Sequence, residues 1–457
     1  MNARTVLIAV LLLGGCAHYN EQLATVDPAG GYRFGTMTTR ARQDDTMVIV
    51  TFSGGGTRAA ALAYGVLEKL HATGIQGGNM LDAVDVVSSV SGGSYTAAYY
   101  ALHGYEGLPE LRKRLLDQPR TQLKLTLTTL LPWNAVRLLS PRYSRIDHAA
   151  RFFDARVYRG AKFKDLRRDL PYTMINATEM DLGSRFEFTQ EQFDPICSDL
   201  SQTPVAAAVA ASSAFPVLLT PLTLRSYADQ GCGYVPGQWF DLAQQDQLNN
   251  PRRFRYRSEL EALMNKERKF VHLLDGGPAD NIGVRGPFHA IATSDTLQMN
   301  DTQPVTGFSV QRMINNRQIR RVVVIVVNAK TTNQLSHDRK RATPWIPAVL
   351  SSVSNTPMGN FSFESVTSVM EWMSSQNALN TAAKRLNLNP PDVKYHFVEV
   401  AFSALPTSEQ EKFNEMGTNY SLSKKEVAEL IAVAGRILED SQAFGEVVKE
   451  MNPPITP

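Results

Sequence analysis

The stretch "VDVVSSVSGGSYTAAYY", from Val84 to Tyr100, decides the fold of this chain. A run of β-branched residues leads into two glycines and then into a run of helix-forming residues, which predicts a strand, a tight turn and a helix. Four of the seven residues from Ser88 to Ser94 are serines. The turn therefore holds either a nucleophile or an ordinary polar helix start.

Ser91 is the serine that meets the steric requirement of an exposed nucleophile. Such a turn presses the backbone against its neighbours, so the residues two before and two after the nucleophile must be small. Ser91 has Ser89 before it and Gly93 after it, whereas the other three serines each have valine or threonine two positions away. A helix N-cap serine would give a similar pattern, and this alternative stays open.

A second turn has the composition of an anion-binding loop. The apolar run Met47–Phe52 predicts a strand, and Gly54, Gly55 and Gly56 follow it before a helical pattern begins. Backbone N–H groups at a helix N-terminus face anions, and for acyl transfer such a loop is an oxyanion hole. The spacing up to Ala59 also fits a loose dinucleotide fingerprint, but no strand with an acidic end follows at the required distance, so a nucleotide-binding enzyme is the weaker alternative.

A third strand ends in an acidic residue. "HLLDGGPADNIGV" (His272–Val284) is an apolar run that stops at Asp275. If the carboxyl ends of these strands meet at one edge of the sheet, they bring together an anion nest, Ser91 and Asp275. A purely structural role for Asp275, in a turn or as a helix N-cap, is the alternative. His289 follows in the order of a Ser–Asp–His triad but fits better in a packing helix, and His272 fits a hydrogen-bonded core position.

The alternation of strands, glycine turns and helices predicts an α/β fold with a mainly parallel sheet. Further strands are predicted at Tyr172–Ala177, Phe270–Leu274, Arg321–Val327 and Tyr395–Phe402, and a helix at Ser421–Asp440. Three segments fit this pattern poorly and are predicted to be lid-like insertions, near 108–159, 225–267 and 331–391. The apolar runs Thr121–Leu139 and Trp345–Met373 within them line an acyl channel, contact a membrane surface, or pack as core under a long loop, and core packing is the favoured interpretation.

Composition excludes two classes of protein. Of 457 residues, 43% are hydrophobic and 20% charged, so the chain is globular rather than disordered. The formal net charge of +3 and the lack of a dense basic block argue against nucleic acid as a partner. Protein partners are not predictable from the sequence.

The N-terminus has the pattern of an export signal. Its apolar run is far shorter than the about 20 residues that cross a bilayer. Leu13-Gly14-Gly15-Cys16 resembles the signal of bacterial lipoproteins, which implies removal of residues 1–15 and acylation of Cys16. Ala17 in such a protein implies sorting to the outer membrane of the cell envelope. Residues 16–43 are polar and predict a tether, which leaves 44–457 as a single domain with the insertions above.

The cysteine count fits an exported protein. If lipid occupies Cys16, then Cys197 and Cys232 remain as an even pair. We predict a disulfide between them in an oxidising compartment, with two buried thiols as the alternative. No cluster of cysteine and histidine predicts a metal site.

Taken together, these motifs resemble the patatin-like phospholipase family over roughly Thr46–Val284. That family's fold is a three-layer sandwich whose central sheet is flanked by helices. The sequence departs from the family pattern at Ala59 and Ser89, where glycine is usual, although both residues are small. The matching motifs are Gly54-Gly55-Gly56-Thr57-Arg58, the turn around Ser91, Asp275-Gly276-Gly277, and "AAVAASSAFPVLLTPL" (Ala207–Leu222).

The resemblance implies a lipid acyl hydrolase with a Ser–Asp dyad and no histidine. Ser91 would attack an ester carbonyl, Asp275 would take its proton, and the N–H groups of Gly54, Gly55 and Gly56 would stabilise the oxyanion. It implies no metal or cofactor and a membrane lipid or lysolipid as substrate. A catalytically weak or inactive lipid-binding envelope lipoprotein with the same fold is the alternative. Supporting roles fall to Arg58, Gly93, Gly276 and Gly277.

Overall fold

The computed structural model describes residues 19–37, 45–138, 143–216, 219–237, 239–292, 313–314, 316–331, 346–388 and 392–452. The predicted signal peptide and Cys16 lie outside these residues. The strands are β1 (Glu21–Gln22), β2 (Thr46–Phe52), β3 (Gly74–Ile75), β4 (Gly78–Asn79), β5 (Val84–Val90), β6 (Tyr172–Glu179), β7 (Arg185–Glu187), β8 (Ser198–Asp199), β9 (Leu222–Arg225), β10 (Phe270–Leu274), β11 (Arg321–Asn328) and β12 (Lys394–Ala401).

Helices connect and flank these strands. Short 3₁₀ or π turns adjoin several of them, including the π turns Arg112–Leu116 and Asp154–Tyr158. The α-helices are α1 (Gly56–Ala72), α2 (Gly92–His103), α3 (Leu108–Leu111), α4 (Thr121–Thr129), α5 (Pro132–Arg137), α6 (Arg145–Phe153), α7 (Gln190–Phe193), α8 (Val205–Ser212), α9 (Trp239–Leu242), α10 (Pro251–Met264), α11 (Gly277–Asp280), α12 (Arg285–Ala292), α13 (Ile346–Arg385), α14 (Thr407–Asn414), α15 (Lys424–Asp440) and α16 (Gln442–Glu450).

The central sheet has the strand order β12-β11-β2-β5-β6-β10-β9, with β7 added to β6. All neighbouring strands from β12 to β6 pair in parallel, and β10 pairs antiparallel with both of its neighbours, β6 and β9. Every residue of β2 and β5 is buried, as expected for parallel strands covered on both faces by helices. The predicted mainly parallel α/β fold is confirmed, and β9, which pairs antiparallel with β10, is an addition that the sequence analysis missed.

The direction of β10 explains how Asp275 reaches the edge of the sheet. Leu274 pairs with Thr178 and Leu273 with Glu179, the last residue of β6, so most of β10 lies beyond the carboxyl ends of the parallel strands. β10 therefore returns to that edge from outside and stops there. The ends of β2, β5 and β10 converge as expected, but β10 approaches this edge of the sheet from the opposite direction to that expected.

Residues 19–37 are not the tether that the sequence predicted. β1 pairs with β8, and Tyr32 is buried with its hydroxyl accepting from the backbone N–H of Thr173 at 2.8 Å. Arg33 forms a buried ion pair with Asp194 at 2.6 Å. Tyr19 donates its hydroxyl to the Asp147 carboxylate of α6 at 2.6 Å. An aromatic anchor and a paired charge thus pack this segment onto the domain.

A disulfide joins Cys197 to Cys232, with their Cα atoms 5.5 Å apart. The backbone carbonyls of the same two cysteines accept hydrogen bonds from the N–H groups of Leu23 (2.8 Å) and Val26 (2.9 Å). The bridge therefore also fixes part of the N-terminal segment.

The predicted insertions lie between elements of the sheet. The first supplies α3 to α6 between α2 and β6, the second supplies α9 and α10 between β9 and β10, and the third supplies α13 between β11 and β12. The interpretation of Thr121–Leu139 as core is wrong for most of its large apolar side chains, which are exposed on α4 and α5. Within the described parts of the chain, no helix combines the length and hydropathy needed to cross a membrane.

Candidate active site

Ser91 lies on a strained turn between β5 and α2. Its φ of 49° and ψ of −119° are rare for a residue with a side chain. The backbone N–H of Ser91 donates to Ser212 Oγ at 2.8 Å, and Ser212 Oγ donates to the Asn176 carbonyl at 2.6 Å. These two hydrogen bonds link the turn to α8 and β6. They hold Ser91 in a backbone conformation that residues with a side chain rarely adopt, which is typical of functional positions.

The small residues around Ser91 are required by contacts with the backbone. A Cβ on Gly92 would lie 2.1 Å from the carbonyl oxygen of Gly56, and a Cβ on Gly93 would lie 2.7 Å from Phe52 Cβ. Ser89 fits where the family usually has glycine because its hydroxyl donates to the Met174 carbonyl at 3.1 Å. The steric rule that selected Ser91 thus has a physical basis in the structure.

Ser91 and Asp275 form a hydrogen-bonded pair. Ser91 Oγ donates to Asp275 Oδ2 at 2.9 Å, and Asp275 Oδ1 accepts from the N–H of Gly277 at 2.8 Å. Burial raises the pKa of Asp275 to about 6, although the hydrogen bonds from Gly277 and Ser91 act in the opposite direction. The carboxylate is therefore ionised at neutral pH but is a stronger base than an exposed aspartate.

Gly276 and Gly277 allow close packing beside this pair. A Cβ on Gly276 would lie 2.5 Å from the Asn176 carbonyl oxygen, and a Cβ on Gly277 would lie 2.3 Å from Met358 Sδ of α13. The two glycines thus admit β6 on one side and α13 on the other.

Within the part of the chain that the structure describes, two N–H donors of the glycine loop have no acceptor, rather than three. The N–H of Gly54 donates to the carbonyl of Asn281 at 2.9 Å, which corrects its predicted role in the oxyanion hole. Among the described residues, no acceptor bonds the N–H of Gly55 or Gly56. Their φ values of 143° and 61° suit glycine, and a Cβ on Gly56 would lie 2.8 Å from the carbonyl oxygen of Asn419.

Arg58 braces this loop from within α1. Its guanidinium donates to the carbonyls of Ala329 (2.9 Å) and Met416. A third bond reaches Thr418 Oγ1 at 3.2 Å. Burial lowers the pKa of Arg58 to about 10, which leaves it charged. The side chain thereby joins the start of α1 to the end of β11 and to the loop before Tyr420.

A cavity of about 650 Å³ opens onto the Ser91–Asp275 pair. One end carries Ser91, Asp275 and the glycine loop, and the rest is bounded by α4, α13 and the loop that contains Tyr420. Polar and apolar side chains share this wall, so the cavity can take a ligand that has both a polar and an apolar part. Apolar side chains of the wall are Leu125, Leu130, Phe215, Leu219 and Met358.

The histidines considered from the sequence lie elsewhere. His289 lines a separate small cavity beside Arg185 and Arg285, where burial and the nearby arginines hold its pKa well below the usual value. His272 Nδ1 lies 3.1 Å from Thr223 Oγ1 across β10 and β9, in the hydrogen-bonded position that the sequence predicted. Neither residue borders the cavity at Ser91.

The sequence analysis missed several residues that shape the site. Ser212 lies in the stretch Ala207–Leu222 that was singled out, but nothing in that pattern shows its bond to Ser91. Asn281 follows Asp275 by six positions and occupies the Gly54 N–H. Tyr420 comes from a distant part of the chain, and its hydroxyl lies 3.0 Å from that of Tyr95.

The site therefore combines a strained serine on a strand–helix turn, a buried aspartate hydrogen-bonded to it, and a glycine loop, all on an α/β fold. A family profile described as patatin-like phospholipase matches residues 50–288, more than half of the chain. The chain therefore belongs to the patatin-like phospholipase family.

Comparison with solved structures found similar chains among phospholipases and a bacterial protein. Human GIVD cytosolic phospholipase A2 aligns with a TM-score of 0.44 and 10% identity, over 89% of this chain and 62% of that chain. VipD from Legionella pneumophila aligns with a TM-score of 0.26 and 10% identity, over 90% of this chain and 71% of that one. The chain thus spans less than two thirds of the human protein. Comparison with curated proteins found no match.

Proposed function

We propose that the protein is a lipid acyl hydrolase in which Ser91 and Asp275 form a catalytic dyad. The observation that carries this proposal is the 2.9 Å hydrogen bond between Ser91 Oγ and the buried Asp275 carboxylate, at the wall of a cavity of about 650 Å³. Phospholipids, lysophospholipids and acylglycerols are the substrate class, because each has an ester bond next to a long apolar chain.

The mechanism follows from the direction of the hydrogen bonds. Asp275 takes the hydroxyl proton while Ser91 Oγ bonds to the ester carbonyl carbon, and the carbonyl electron pair moves to oxygen. The N–H groups of Gly55 and Gly56 donate to this oxyanion. When the tetrahedral intermediate collapses, the alcohol leaves with the proton held by Asp275. Water then attacks the acyl-serine with Asp275 again as base, which releases the fatty acid and restores the hydroxyl of Ser91.

A carboxylate suffices as base only because the site is dry. An exposed aspartate has a pKa near 3.9 and would take a serine proton poorly. Burial raises the pKa of Asp275 to about 6, which narrows the gap between base and nucleophile. The remaining stabilisation then comes from the two N–H donors, and each such donor contributes on the order of a hundredfold in rate.

A fluorophosphonate probe tests the nucleophile directly. The parent should gain the mass of one phosphonyl adduct, Ser91→Ala should gain none, and Asp275→Asn should react more slowly by on the order of a hundredfold. Ser213→Ala removes another serine hydroxyl near the turn and should label like the parent. An adduct that persists in Ser91→Ala would contradict the proposal.

The alternative of an inactive lipid-binding protein makes a different prediction. It requires retention of a fatty acid or lysolipid by the parent without cleavage, together with no adduct even when detergent or lipid is present. Release of fatty acid that disappears in Ser91→Ala excludes it.

We further infer that the protein is a component of the bacterial cell envelope and that acylation of Cys16 anchors it there. The lipoprotein-like signal supports this, and the Cys197–Cys232 disulfide is consistent with an oxidising compartment. Growth with an alkyne-tagged palmitate should label the parent and leave Cys16→Ala unlabelled, and fractionation of the parent should place it in the outer membrane. Equal labelling of both forms would refute acylation at Cys16.

A further inference from the structure

We propose that α4 and α5 form a docking face that binds a lipid surface and places the mouth of the cavity against it. The proposal rests on the proposed function for the identity of the substrate, but its evidence is the surface itself. The docking face consists of five side chains, with these exposed fractions: Leu123 53%, Leu127 54%, Leu130 69%, Trp133 61% and Val136 46%.

These side chains occupy the outer side of a short helical pair. Leu123 and Leu127 of α4 and Leu130, the residue that ends it, recur at helical spacing, while the inner side of α4 buries Leu125 and Thr121. Pro132 starts α5 directly after the turn, and Trp133 and Val136 continue the apolar surface there. A cluster of five exposed large apolar side chains within 14 residues marks an interaction site rather than scattered surface residues.

The docking face is continuous with the cavity. Leu130 is the most exposed of the five side chains and also lines the cavity, so it lies at the mouth. Leu125, Thr126 and Thr129 of α4, which ends just before Leu130, line the cavity wall behind it. An acyl chain that leaves a lipid layer under this face would enter the cavity without crossing water.

The charges within the segment that carries the docking face favour a lipid surface over an apolar protein partner. Residues 118–138 contain Arg120, Lys124 and Arg137 but no aspartate or glutamate. A helix with apolar side chains flanked only by basic ones is typical of segments that lie in the interface of an anionic bilayer. Trp133 suits this location because indole rings concentrate at the boundary between headgroups and acyl chains.

Hydrogen bonds connect the helices of the docking face to α6 and to the loop that contains Tyr420. Thr128 Oγ1 lies 3.0 Å from His148 Nε2 of α6, and Asn134 Nδ2 donates to the Thr128 carbonyl at 2.8 Å. The N–H of Gln122 donates to the carbonyl of Tyr420 at 3.2 Å. The helical pair is thus positioned by the same parts of the fold that enclose Ser91.

The test measures vesicle binding with the full chain in a Cys16→Ala/Ser91→Ala background, so that no lipid is consumed and no acyl chain at Cys16 holds the protein on the vesicle. Vesicles of phosphatidylcholine and phosphatidylglycerol at 4:1 are sedimented with the parent background, with Leu127→Glu/Trp133→Glu, and with Leu248→Glu. Leu248 is 91% exposed but lies outside the docking face, which makes it a matched control. We expect the double variant to partition at least tenfold less and the control to remain within twofold.

A local measurement separates docking from binding through the N-terminus. Phospholipids brominated midway along the acyl chain should quench tryptophan emission of the parent, and the quenched component should disappear in Trp133→Phe. Unchanged partition of the double variant, or a Trp133 ring that is not quenched, would overturn the proposal. A change in the oligomeric mass of the double variant without any change in vesicle binding would also overturn it, in favour of a protein partner.

Folding and activity are checked on a water-soluble short-chain ester with Ser91 restored. The double variant should cleave this ester at the parent's rate but lose at least tenfold on vesicles. Vesicle docking by the Cys16→Ala/Ser91→Ala protein together with no ester cleavage by the parent would refute the proposed function and leave the docking face intact.

Discussion

At the scale of single residues, the protonation state of Asp275 should set the pH dependence of the reaction. As the proposed base, Asp275 would act only when ionised, and burial raises its pKa to about 6. We therefore expect kcat/KM to rise about tenfold per pH unit below pH 6 and to level off above it. Rates on a soluble ester from pH 4.5 to 8.5 measure this. A plateau that extends down to pH 4.5 would be incompatible with Asp275 as the base.

The same carboxylate should reduce the stability of the folded protein. Its pKa is higher in the folded than in the unfolded state, so the folded state binds the proton more tightly, and stability falls as the pH rises from about 4 to about 6. A shift of about two units corresponds to roughly 3 kcal/mol. Asp275→Asn should therefore be more stable than the parent at pH 8 by roughly 1–3 kcal/mol.

Denaturant unfolding of both proteins at pH 4 and pH 8 checks this prediction. The amide can still accept from the Gly277 N–H, so the comparison isolates the charge. The difference between the proteins should nearly vanish at pH 4. An advantage of equal size at both pH values would assign the effect to something other than ionisation.

The tight turn around Ser91 was predictable from the sequence because its cause is local. The contacts that require Gly92 and Gly93 follow from the turn itself, whereas the role of Ser91 as nucleophile stays a prediction. The expected role of the Gly54 N–H in the oxyanion hole was a different case. That N–H donates to the carbonyl of Asn281, a residue more than 200 positions away. Such a contact exists only once the fold has brought the two segments together.

At the scale of elements, two glycines of the α1–α15 pair should respond oppositely to alanine. A Cβ on Gly65 of α1 would lie 2.3 Å from the carbonyl oxygen of Ile431 in α15, and backbone cannot give way there. A Cβ on Gly435 of α15 would meet nothing closer than Lys69 Cβ at 3.8 Å. Gly65→Ala should therefore destabilise the protein by roughly 2 kcal/mol or more, as overpacking does.

Gly435→Ala is the matched control and should stabilise the protein by roughly 0.5–1 kcal/mol through helix propensity. Thermal unfolding of the two variants beside the parent measures both effects. Destabilisation by both substitutions to the same extent would show that propensity, rather than the close approach of the helices, governs this pair.

The parallel part of the sheet was predictable because β2, β5 and β11 are buried runs followed by helices with clear periodicity. The predicted helix at Ser421–Asp440 begins at Lys424 because Ser423 caps it. β9 and β7 were missed because three or four residues carry too little pattern. The direction of β10 depends on its pairing with β6, which the sequence of β10 alone does not contain.

At the scale of the whole molecule, the disulfide should contribute to both stability and N-terminal order. It closes a loop with a sequence separation of 35, for which chain entropy predicts roughly 3 kcal/mol or somewhat more. Cys197→Ala/Cys232→Ala should lower the free energy of unfolding by about this amount. In a protease time course, residues 19–37 of this double variant should also be cleaved sooner than those of the parent.

Limited proteolysis with mass mapping, with and without reductant, checks this. Reductant should make the parent behave like the double variant and leave the variant unchanged. Equal resistance of all samples would mean that β1, Tyr32 and the Arg33–Asp194 pair suffice to hold the segment.

The packing of the N-terminal segment also limits how far the enzyme can reach. Three residue steps separate Cys16 from Tyr19, which spans at most about 11 Å. Tyr19 is bound to α6, which contacts α4 and thus the side of the docking face. With Cys16 acylated as proposed, the catalytic centre could act only on the leaflet that holds it. Turnover would then depend on the surface density of substrate, and labelled lipid in separate vesicles would remain intact while the host bilayer is hydrolysed.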